Sequence, residues 1–117
     1  MLKKFFLATL VVGLIICAGA KVEAAEVYVG TSPVTNNKCY VLTDTINHDY
    51  EERMIIYSAT LKTVDRYGDK HFIDYKFYSL DGDTDNVQFV NSDGFKGIAD
   101  SYETPIEWAM FLFVKDY

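Results

Sequence analysis

The chain has 117 residues, of which 50% are hydrophobic, 15% aromatic and 24% charged, and its formal net charge is −6. This is room for one small domain, too apolar for a disordered tail and too acidic to suit nucleic acid or anionic lipid as its main partner. With 7 Gly, 2 Pro and 2 Cys it is neither collagen-like nor a disulfide-dense scaffold.

The N-terminus reads as an address. Lys3 and Lys4 precede an uncharged run from Phe5 to Cys17, and small residues follow at Ala18, Gly19, Ala20, Ala24 and Ala25. A basic start, a short apolar stretch and small residues at the end make a secretory signal peptide, assigned to 1–25. Ala18-Gly19-Ala20 permits cleavage after Ala20, and Val22-Glu23-Ala24 permits it after Ala24. The apolar run is shorter than the ~20 residues that span a bilayer. A lipoprotein anchor at Cys17 would want a small residue before it, where Ile16 stands. The remaining domain, 26–117, keeps Cys39 as its one thiol, either a small buried hydrophobe or the half of an intermolecular disulfide.

Strands follow. Val27-Tyr28-Val29 and Cys39 to Thr45 are β-prone, separated by a turn-rich break from Gly30 to Lys38 and closed by Asn47-His48-Asp49. In Arg53 to Val64, Ile55, Tyr57, Ala59 and Leu61 alternate with Ser58, Thr60 and Lys62, the period of a strand with one wet face. Asp65 to Asp69 turns the chain, and Lys70 to Leu80 returns with His71, Ile73, Tyr75 and Phe77 on its apolar face. Asp81 to Asn86 is a second turn, Val87 to Val90 a short strand, Asn91 to Gly94 a third turn, and Phe95 to Ala99 a last strand. About six strands joined by short turns favour a meander.

The tail changes character. Thr104 as cap, Pro105 in the first turn and Glu107 completing a capping box open a helix. Ile106, Ala109, Met110, Phe113, Val114 and Tyr117 then line one stripe. Trp108, Phe111 and Leu112 lie off it, to be covered by a curled sheet or left as a patch for a partner or a second copy. The expected fold is α+β: an antiparallel β-meander of about six strands with one C-terminal α-helix packed on one face.

Few residues point to chemistry. Asp81, Asp83 and Asp85 hold positions 1, 3 and 5 of a calcium-type loop, but Ser92 stands where the bidentate carboxylate belongs, leaving a weak calcium candidate. Cys39 and His71 could meet across a sheet, though no spacing asks for it, and no phosphate loop or zinc spacing occurs. Neither a catalytic residue nor a cofactor is assigned. The many tyrosines suit recognition, with Tyr67 at a hairpin tip and Tyr78 on the wetter strand face as candidate contacts beside Trp108, Phe111 and Leu112.

Cys39-Tyr40-Val41-Leu42-Thr43-Asp44-Thr45-Ile46, set between a Val-Tyr-Val strand and a terminal helix, resembles the surface-adhesin protein E family of small bacterial secreted proteins. The resemblance implies a helix laid across an antiparallel sheet and a role in binding macromolecules. The family's helix can be tethered by a disulfide, whereas this one carries no Cys. The expectation is an exported, non-enzymatic protein-binding module of the envelope or exterior, with a homodimer as a further possibility. The alternatives are an inhibitor that inserts its acidic turn into an enzyme's cleft and a small hydrolase.

Overall fold

A computed structural model describes residues 25–117. The expected signal peptide and Cys17 lie outside the described residues, Ala25 excepted. Six strands, β1 (Glu26–Thr31), β2 (Lys38–Glu51), β3 (Met54–Val64), β4 (Lys70–Leu80), β5 (Gln88–Asn91) and β6 (Lys96–Ile98), precede helix α1 (Pro105–Asp116). Each strand pairs antiparallel with its chain neighbour in the order β1-β2-β3-β4-β5-β6. The fold is therefore the expected α+β meander with one C-terminal helix on it. No helix among the described residues is long and apolar enough to cross a membrane.

The alternation in β3 and β4 sets the faces. Tyr57 opposes Phe77, Ala59 opposes Tyr75 and Leu61 opposes Ile73. With Val41 of β2 and Phe89 of β5 these form the inner face, on which α1 lies. The outer face mixes polar side chains with exposed apolar ones, among them Phe72, Leu80, Val90 and Ile98. There Lys62 is paired with Glu26 at 2.6 Å and sits 5.3 Å from the centre of the Tyr40 ring.

Strand β2 runs on through Asn47-His48-Asp49, which were expected to turn. Leu42 faces Thr60 while Asn47 faces Ser58, so five steps along β2 answer two along β3. The surplus is absorbed as a bulge held by Thr45, whose hydroxyl donates to the Leu42 carbonyl at 2.6 Å and accepts from the Thr60 N–H at 2.8 Å. A side chain thus replaces a missing rung of the ladder. The chain reverses instead at Glu52-Arg53, with Glu52 at φ 54°.

Helix α1 buries Ile106, Met110, Phe111 and Val114, which turns its face away from the expected stripe. Phe111 is 0% exposed, with its ring 5.5 Å from Tyr57 and 5.7 Å from Phe77. Trp108 is half-buried against the core, and Leu112 is 39% exposed. The three do not form one surface patch, because Phe111 belongs to the core. Each large side chain buried here contributes on the order of 1.5–3 kcal/mol before ordering entropy.

The expected capping box does not form. The Thr104 hydroxyl accepts from Asp100 N–H at 2.7 Å and lies 3.0 Å from the Ile98 carbonyl, tying the helix start to β6. Glu107 instead accepts the Tyr75 hydroxyl at 2.6 Å. Entry to the helix also depends on Gly30 of β1. Its φ is 147°, and a Cβ there would stand 3.0 Å from Ile106 Cδ1.

Candidate binding cleft

Helix α1 does not cover the whole inner face. Its first turn meets the sheet at Tyr75 and its last turn lies beside His48, whose Nε2 is 2.8 Å from the Val114 carbonyl. Beyond the helix start, a row formed by Cys39, Thr63 and His71 runs in register across β2, β3 and β4, passing from buried Cys39 through half-buried Thr63 to exposed His71. The result is a cleft of about 490 Å³, within the usual range for ligand sites.

Its parts come from distant stretches of chain. Leu61, Ile73, Tyr75 and Phe89 make the floor, with Cys39 at one side. The β1–β2 connection supplies one wall and the β5–β6 turn another, while Glu103 to Glu107 forms the back. Val34 stands on the first wall at 90% exposure, and Phe95 on the second at 68%. Their backbones are set by local polar side chains. Ser32 Oγ accepts from the Val34 and Thr35 N–H groups, and Asn91 Oδ1 accepts from the Asp93 and Phe95 N–H groups. Two apolar side chains are thus held in water on turns built to carry them.

Charge around the cleft is uneven. His71 Nε2 pairs with Asp93 at 3.0 Å on one flank. Glu107, Glu103 and Asp93 are answered among the lining residues by Lys96 and, when protonated, His71. Burial first, and then the hydrogen bond to Glu107, push the Tyr75 hydroxyl well above the ordinary phenol range. Burial likewise raises the Cys39 thiol, an effect that the nearby Glu107 carboxylate reinforces.

Cys39 and His71 share the cleft but are separated by Thr63, a gap of two strand spacings at about 4.8 Å each. The Cys39 Sγ points to the Asn37 carbonyl at 3.6 Å, and its raised pKa keeps it a thiol at neutral pH. At 2% exposure Cys39 is the buried hydrophobe in a strand, out of reach of an intermolecular disulfide in the folded state.

The residues singled out from sequence lie elsewhere. Tyr67 is exposed at the β3–β4 tip under the Arg66 guanidinium, 4.9 Å from its ring centre. Tyr78 is half-buried on the outer face, beside a shallow hollow with Met54 and Ile56. Trp108, Phe111 and Leu112 sit further along α1. In the acidic turn Asp81 is ion-paired with Arg53, which pulls its carboxyl below the ordinary range, and Asp83 accepts from the Asp85 N–H at 2.8 Å. No group of three His, Cys, Asp or Glu is placed to hold a metal ion among the described residues. His71 and His48 were assigned to an apolar strand face and a turn. The first is exposed at the cleft rim, and the second is a strand residue that anchors the helix end. Sequence reading missed Val34, Phe95, Glu103 and Glu107 as neighbours. The available signal was Val34, a lone apolar residue inside a turn; Phe95, read as the start of the last strand, lies just before it, since β6 begins at Lys96.

Comparison with known proteins finds no matching family model, no matching characterised protein and no matching solved structure.

Proposed function

We propose that this protein is an exported, non-enzymatic binding module that holds a segment of another protein in the cleft beyond the helix start. The observation that carries this is the pair Val34 and Phe95, both exposed and both lining the same cleft as the apolar residues Leu61, Ile73 and Phe89. Solvent-exposed apolar side chains facing a shared concavity gain stability only when something dry fills the space between them. Export and an adhesin-like role at a bacterial envelope rest on the signal-type segment 1–25 and on the resemblance of the Cys39–Ile46 stretch. The acidic turn does not favour the inhibitor alternative, since Asp81 is already engaged by Arg53.

A photo-crosslinking phenylalanine analogue placed at position 95 tests the reading in producing cells. Illumination is expected to yield a discrete heavier adduct with a second protein, absent when the analogue replaces the equally exposed Tyr50 at the β2–β3 end of the sheet, which does not line the cleft. Equal adducts from both positions, or none from position 95, would overturn it.

A further inference from the structure

We infer that the occupant of this cleft is a basic segment of a partner protein, in which an apolar side chain is followed closely by Lys or Arg. The inference rests on the binding reading above and adds the chemistry of the ligand. The apolar half follows from Val34 and Phe95 over the floor of Leu61, Ile73 and Phe89. The charged half follows from the back wall. Carboxylates suit the positive end of a helix, and this one presents Glu103 just before the helix and Glu107 in its first turn, both lining the cleft. With Asp93 the carboxylates number three against Lys96 and His71, so the mouth is negative whether or not His71 is protonated. Glu107 is held in place by the Tyr75 hydroxyl through one oxygen, which leaves its second oxygen to accept from a cation. An apolar side chain seated between the walls puts a neighbouring cation at this acidic back. The chain's overall charge of −6 draws such a segment in from a distance.

The test is a titration of the mature, isotope-labelled protein with the blocked tetrapeptide Gly-Phe-Arg-Gly, followed by amide chemical shifts. Comparators replace Arg by Gln, Arg by Glu, or Phe by Ser, and free phenethylamine serves as a small-molecule probe. Shifts are expected at Val34, His71, Phe95 and Glu107, with binding weakened about fivefold by the Gln peptide and further by the Glu peptide. Added salt should weaken only the Arg peptide. Glu103→Gln combined with Glu107→Gln should erase the preference for Arg while leaving the fold intact, and exposed Glu103→Gln alone should reduce it. A Gln peptide that binds in the cleft as tightly as the Arg peptide would overturn the basic ligand and leave the binding reading standing. Phenethylamine matching the peptide would overturn the protein segment as occupant. Failure of every probe to shift the cleft residues would overturn both.

Discussion

The Nε2 atom of His48 lies 2.8 Å from the carbonyl oxygen of Val114, joining the far half of the second strand to the last turn of the only described helix. The same imidazole packs edge-on against Tyr57, with ring centres 4.8 Å apart. A helix end carries unpaired carbonyls and partial negative charge, and a ring N–H answers both.

Replacing His48 by Phe keeps the aromatic packing and removes that donor. The expected cost is about 1–2 kcal/mol, read as a lower urea midpoint with an unchanged slope. No loss of stability would show that the helix end is held by apolar contact alone.

The two adjacent residues Phe111 and Leu112 separate core from surface on α1. Phe111→Ala should cost about 3–5 kcal/mol, because Tyr57 and Phe77 cannot close over the space. Leu112→Ala should cost about 1 kcal/mol or less. Chemical denaturation of both variants checks the contrast, and equal losses would mean that the helix is rotated from the position described.

Gly30 is a close approach between sheet and helix. Gly30→Ala combines a backbone angle that side chains resist with a methyl group 3.0 Å from Ile106 Cδ1. A loss of about 1–3 kcal/mol is expected. Pairing it with Ile106→Val should recover part of the loss in a thermal melt, since the crowding atom is then gone.

Alkaline pH should destabilise the protein. Burial raises the Cys39 thiol and the Tyr75 and Tyr57 hydroxyls in the folded state. The folded chain therefore keeps protons that the unfolded chain releases. The stabilisation is complete below the unfolded values, about pH 8.5 for Cys and about pH 10 for Tyr, and is lost as pH rises beyond them. Thermal melts across this range should show a midpoint falling from about pH 8.5 and more steeply above about pH 10. Tyr75→Phe should flatten the steeper part while lowering the neutral-pH midpoint through the lost bond to Glu107.

How much of this was legible in the sequence differs from element to element. The β3–β4 hairpin was readable because Tyr57, Ala59 and Leu61 alternate cleanly with polar partners and each registers against an apolar residue of β4. The far half of β2 was not, because the Thr45 bulge breaks the alternation and mimics a turn. The helix was readable in place but not in facing. With Trp108, Phe111 and Leu112 added to the stripe it is apolar nearly all round, so period alone leaves its rotation open, and the fit of Phe111 between Tyr57 and Phe77 decides it. The cleft was the least legible part. Its walls come from two turns and a helix start far apart in the chain, and it exists because α1 begins level with Tyr75 rather than at the sheet's end.

The strictly sequential pairing of the strands has a consequence for how the molecule is made. A chain that emerges amino-end first can zip each hairpin onto the last, with no strand waiting for a distant partner. Closure of the dry face is the exception, since it needs Ile106 to reach Gly30 and Val114 to reach His48. Synthesis therefore presents a nearly finished platform whose greasy side stays wet until the final dozen residues arrive. A truncation before Thr104 leaves that side bare for good, and such a product is expected to clump rather than merely lose function.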